Sequence, residues 1–157
     1  MEYSKILFLT SFCVMACDGD MANEEINLLK NLANQQKLFG DIDVEDEINK
    51  YIRLIKDQGL GLIKSYLEAL SSCKLTEEQE LLLLQVVVKT IHADNNIEYS
   101  EIKFFKSIRN CLNISDEKIL NNIEGIEDFW LEKDIVNKNI EDVLVGIDLT
   151  FSKIENV

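Results

Sequence analysis

The stretch CVMACDGDM, residues 13–21, has two readings, and the choice between them decides the fold. Val14-Met15-Ala16-Cys17 closes an apolar run that follows Lys5, as a bacterial lipoprotein cleavage site does. The same letters also fit the last turn of a buried helix running into an Asp-Gly turn. The first reading removes residues 1–16 and tethers the remainder to a membrane. The second makes those residues part of the core.

Working outward, residues 4–17 are apolar on nearly every face, with Ile6, Leu7, Phe8, Leu9, Phe12, Val14 and Met15. That pattern predicts a central, enclosed helix. Residues 23–38 set Ile26, Leu28, Leu29 and Leu32 against Glu24, Asn27, Lys30 and Asn31, an amphipathic helix stopped near Gly40. Asp43 is placed to cap a third helix over 44–57. Gly59 and Gly61 mark a turn before a fourth segment over 60–73. Thr76-Glu77-Glu78-Gln79 spells a capping box for a fifth helix to about Ala93, apolar all round like the first. A sixth is expected from Tyr99 to Leu112, and Ser115 caps a short seventh. Beyond Gly125 the pattern weakens; Trp130 is expected to dock on the bundle, and 139–148 reads as helical.

Sliding the chain by 76 residues superposes its halves. Cys13–Leu32 falls on Lys89–Ile108, Asp18 meets Asp94, Glu25 meets Glu101, Ile26 meets Ile102 and Lys30 meets Lys106. Upstream, Ile6, Leu7 and Phe8 meet Leu82, Leu83 and Leu84. Each half is an apolar helix, an acidic turn and an amphipathic helix with Glu near its start. The second copy lies in mid-chain, where no signal peptide operates. Glu2 also offsets Lys5, whereas signal peptides begin with net positive charge. The folded reading is therefore preferred, with a lipoprotein cleaved before Cys17 as the alternative.

The 157 residues suffice for one domain with a real core. The expected architecture is all-α, about seven or eight helices in two pseudo-symmetric halves over residues 1–125, with 126–157 as an extension docked on the bundle. No proline interrupts the helices. With 29 acidic against 16 basic residues the net charge is −13. Such a field repels phosphate backbones and anionic lipid, so no nucleic-acid partner is expected, and cations or a basic protein surface are favoured. No apolar stretch reaches the roughly 18 residues of a membrane span. Cys13, Cys17, Cys73 and Cys111 lack the paired spacing of a zinc site and read as buried, reduced thiols of a cytoplasmic protein.

Asp18-Gly19-Asp20-Met21-Ala22-Asn23-Glu24-Glu25-Ile26 resembles the A-D-G-x-[I/V]-x-x-x-E element of the TerB-like (tellurite resistance protein TerB) family. A related element occurs in the membrane-anchored DnaJ-like co-chaperone DjlA. Ala93-Asp94-Asn95-Asn96-Ile97-Glu98-Tyr99-Ser100-Glu101 matches it again, with Asn95 at the glycine. The family carries the element twice, in two pseudo-equivalent helical halves. The resemblance spans about residues 4–115. It implies a divalent cation at Asp18, Glu25, Asp94 and Glu101, and a stress-response setting.

The turns have a structural explanation too. Gly19 and Asn95 tolerate left-handed backbone. If helices cap at Ala22 and Glu98, Glu25 and Glu101 fall at the third helical position, where free N–H groups and the helix dipole favour a carboxylate. Yet carboxylates gather there: Asp18, Asp20, Glu24 and Glu25 in one turn, Asp94, Glu98 and Glu101 in the other, with the Asn96 amide oxygen. The candidate metal ligands are Asp18, Asp20, Glu25, Asp94, Asn96, Glu98 and Glu101. Ca²⁺ is the best-suited ion and Mg²⁺ the next; Ca²⁺ takes about six to eight oxygens, so one turn needs water, backbone carbonyls or the other turn. Phe105 stands where an EF-hand would place its bidentate Glu.

His92 is the one histidine. It reads as a helix-end residue near acidic groups, with a metal-dependent hydrolase using His92 as the alternative. No Gly-x-Ser-x-Gly, phosphate loop or Cys-His arrangement is present. The function expected is a non-enzymatic module that binds a cation at the acidic turns, a protein partner, or both.

Overall fold

The computed structural model describes residues 2–17, 23–35, 39–40, 43–93, 97 and 99–131. Among these the chain is all-helical: α1 (Tyr3–Ala16), α2 (Asn23–Gln35), α3 (Val44–Gln58), α4 (Leu60–Ser72), α5 (Glu77–His92), α6 (Tyr99–Asn110) and α7 (Asp116–Asn122), then a 3₁₀ turn (Asp128–Leu131). The stretch expected to be helical at 139–148 lies outside the described residues.

The helix starts follow from local chemistry. Asp43 accepts the Asp46 N–H at 3.2 Å. At Thr76 the box is complete: Gln79 N–H donates to Thr76 Oγ1 at 3.2 Å, and Thr76 N–H to Gln79 Oε1 at 2.9 Å. Ser115 accepts the Lys118 N–H at 3.3 Å. Each cap stabilises its helix by about 1 kcal/mol.

Two boundaries differ from the sequence reading. Gly61 is not in a turn but inside the first turn of α4; Gly59 alone separates α3 from α4, with φ +55 and its N–H on Ile55 O at 2.7 Å. One glycine suffices because the positive φ completes the reversal. Helix α6 ends at Asn110, not Leu112, because Cys111 and Leu112 N–H reach back only three residues, to Ile108 O and Arg109 O.

Helix α1 is enclosed: every residue from Ile6 to Ala16 is buried. Phe8 packs edge-on against Phe39 at 5.4 Å and lies 5.8 Å from Tyr51 of α3, whose ring also meets Phe12 at 5.6 Å. Helix α5 is less enclosed than expected. Its Leu83, Leu84, Val86, Val87, Val88 and Ile91 are buried, but Leu81 and Leu82 are only partly so and Lys89 is exposed. Each buried Leu or Phe side chain contributes about 1.5–3 kcal/mol.

Among the described residues the most extensive helix–helix packing is between α1 and α5. Tyr3 Oη donates to Gln79 O at the start of both helices, and the Ser11 and Thr90 hydroxyls meet at 3.4 Å near their ends. The two helices therefore run side by side in the same direction, and their C-termini finish at one end of the bundle. No helix among the described residues is long and apolar enough to cross a membrane.

Candidate functional site

The helix ends that flank the α1–α2 and α5–α6 connections keep the 76-residue register. Helix α1 ends at Ala16 and α5 at His92; α2 begins at Asn23 and α6 at Tyr99. The C-caps match as well. Cys17 has φ −66, ψ −19 and donates its N–H to Val14 O at 3.2 Å. Ala93 has φ −62, ψ −35 and donates to Thr90 O at 3.2 Å. Because α1 and α5 are parallel, their C-caps Cys17 and Ala93 lie at the same end of the bundle.

Of the seven candidate ligands, Asp18, Asp20, Asp94, Asn96 and Glu98 lie outside the described residues, and Glu25 is described only as backbone within α2. Glu101 is the one whose side chain is described. It is the third residue of α6 and only 1% exposed. Helix-start N–H groups and the positive end of the dipole favour a carboxylate at that position. Among the described residues no group of three or more His, Cys, Asp or Glu is placed to hold a metal ion. That set contains one of the seven candidates.

The sequence reading missed a second buried carboxylate. Glu80 is 4% exposed and accepts the Asn113 N–H at 2.9 Å through one oxygen and 3.3 Å through the other. A signal was present: Glu80 stands at i, i+3, i+4 and i+7 with Leu83, Leu84 and Val87, all buried. Glu101 has the same relation to Phe104, Phe105 and Ile108. An acidic residue on an apolar stripe marks a carboxylate taken into the core.

His92 closes α5. Its Nε2 lies 2.9 Å from Gly125 O, and its ring stacks on Trp130 at 5.7 Å with an interplanar angle of 17°. A carbonyl only accepts, so Nε2 carries the proton and Nδ1 is the ring nitrogen left to act as a base. Beside it an open cleft of about 620 Å³ is lined by Val88, Lys89, His92, Asn122, Ile123 and Gly125, among others. Trp130 is 2% exposed and also meets Phe105 edge-on at 5.4 Å.

None of the four thiols is in a disulfide. Cys13 and Cys17 are fully buried, and burial pushes the Cys13 thiol far above its ordinary range, the reverse of what a nucleophile needs. Cys73 and Cys111 are half-buried rather than core residues. Ser71 Oγ donates to Cys111 Sγ at 3.1 Å, and burial raises that thiol too.

Compared with protein-family models, curated proteins and solved structures, the chain matches none.

Proposed function

We propose that this chain is a non-enzymatic, TerB-like module of the cytoplasm. It holds a divalent cation, Ca²⁺ ahead of Mg²⁺, at its paired acidic turns and engages a protein partner in a stress response. The observation that supports this is the shared register of the helix ends that flank the two connections. Parallel α1 and α5 finish at one end of the bundle, and in the sequence Asp18 and Asp20 follow the end of α1 as Asp94, Asn96 and Glu98 follow the end of α5. A hard cation needs more oxygens than one short turn supplies, so this reading calls on both turns. A net charge of −13 raises the local concentration of cations and of basic protein surfaces.

The deciding experiment is calorimetric titration of Ca²⁺, Mg²⁺ and Zn²⁺ into metal-stripped protein, repeated with Asp18→Asn and Asp94→Asn. Heat with Ca²⁺ that falls in both variants is the expected result. No heat with any ion removes the cation reading, and an unchanged response in both variants moves the site elsewhere.

The lipoprotein reading would remove α1, whose side chains from Ile6 to Ala16 are buried in the core. The intact mass of the native product tests it: a mature chain starting at Cys17 with added acyl mass overturns the cytoplasmic assignment. A hydrolase built on His92 would have to work through Nδ1, since Nε2 is committed to Gly125 O. Metal-dependent hydrolysis lost on His92→Ala would favour it.

A further inference from the structure

We infer that the cleft between α5 and the strap at residues 122–125 binds a small zwitterion with an apolar body, a free amino acid or a short peptide, held between Lys89 and Glu124. The cleft is separate from the acidic turns, and the inference does not rest on the function proposed above.

The strap is tied to α5 at both ends, two helical turns apart. Gln85 Nε2 donates to Asn122 O at 3.3 Å, and His92 Nε2 to Gly125 O at 2.9 Å. Between the ties lies the open cleft of about 620 Å³, a volume within the range of small-molecule sites. Gly125 has φ +88, and a Cβ there would come within 3.0 Å of His92 Nε2 and 3.3 Å of Val88 Cγ1. Glycine is thus what seats the strap this close to the helix. The buried Trp130 ring stacks on His92 at 5.7 Å and backs the imidazole. A wall tied and backed in this way loses little freedom when a ligand arrives.

The lining selects the ligand. Val88 and Ile123, both buried, supply an apolar floor. Lys89 and Glu124, both exposed, bring one charge of each sign to the same cleft. They do not pair with each other, and among the described residues neither has another ionic partner. His92 Nδ1 has no hydrogen-bond partner there either, and with the proton on Nε2 it is an acceptor. A simple anion would meet Glu124 in a chain of net charge −13, and a simple cation would meet Lys89. A molecule with both charges satisfies both groups. Its carboxylate sits on Lys89, its ammonium on Glu124 with His92 Nδ1 as a second acceptor, and its apolar body on Val88 and Ile123. Hydrogen bonds between such ionised groups are about twice as strong as neutral ones.

Trp130 is the single tryptophan, and its contact with His92 makes its fluorescence the reporter. Leucine and leucyl-leucine are titrated into the full chain up to about 10 mM, with calorimetry in parallel. Saturable binding of at least one is expected, and the tighter of the two tells amino acid from peptide. No saturation by either overturns the inference. The N-acetyl form and the C-terminal amide of the tighter ligand are each expected to bind about tenfold more weakly. Undiminished binding of either blocked form overturns the zwitterion. Lys89→Gln is expected to abolish the preference for free carboxylate over amide, and Glu124→Gln the preference for free ammonium over the N-acetyl form. Either preference surviving its own substitution overturns the assignment. Both side chains are exposed, so the two variants are expected to keep the wild-type urea midpoint.

Discussion

The hydroxyl of Tyr3 donates to the carbonyl of Gln79 at 2.5 Å, and Gln79 is the residue that stands 76 positions on, Tyr3's own counterpart in the repeat. The bond pins the first turns of two parallel helices in register. Tyr3→Phe keeps the ring and removes the donor. It is expected to lower stability by about 1 kcal/mol, the usual net worth of such a bond. Urea unfolding checks it; an unchanged midpoint would show that the register is held by packing alone.

The same residue gives the protein a high-pH limit. Burial pushes the Tyr3 hydroxyl up to about 12 from its ordinary 10, and burial also raises Tyr66 well above its ordinary value. The unfolded chain releases these protons near pH 10 and the folded chain later. The Tyr3 contribution is therefore complete below pH 10 and is lost as pH rises through about 12. Urea midpoints are expected to fall between pH 10 and 12, more steeply in wild type than in Tyr3→Phe. A Tyr3→Phe slope equal to wild type would contradict the assignment.

Glu80 anchors the loop between α6 and α7 through the Asn113 N–H. Glu80→Ala leaves that amide without its acceptor and is expected to cost about 1–3 kcal/mol. Glu80→Gln keeps an acceptor oxygen and costs less. If the two variants unfold at the same urea concentration, the carboxylate is not what holds Asn113.

The thiols are expected to separate by burial. At pH 8 an aromatic disulfide reagent should modify Cys73 first and Cys111 more slowly, because burial raises the Cys111 thiol. Cys13 and Cys17, both fully buried, react only on unfolding. Rapid modification of Cys13 in native protein would mean that α1 leaves the core.

Much of the fold was legible because it is written locally. Asp43, Thr76 and Ser115 are cap residues one position before their helices, and each makes the bond its chemistry predicts. The enclosed α1 was legible from its unbroken apolar run, and the register from residue identities 76 apart. What could not be read was non-local. Nothing in the neighbourhood of Trp130 says that it will lie between His92 and Phe105. Arg109 is bonded to both Ile114 O and Asp116 by the chain's turn after α6, which no periodicity encodes. Of the candidate site, Glu101 was placed at the start of α6 from its spacing, but its burial was not foreseen. Sequence position assigns a residue to a helix turn; only the partner helix decides whether solvent reaches it.

The pairing of α1 with α5 carries a cost during synthesis. Roughly 60 residues separate Ala16 from Glu77. At ribosomal speeds of about 5–20 residues per second, that leaves an oily segment without its mate for about 3–12 seconds. A nascent chain in that state exposes apolar surface that is prone to aggregation. The yield of this protein in a cell should therefore depend less on its final stability than on shelter during elongation.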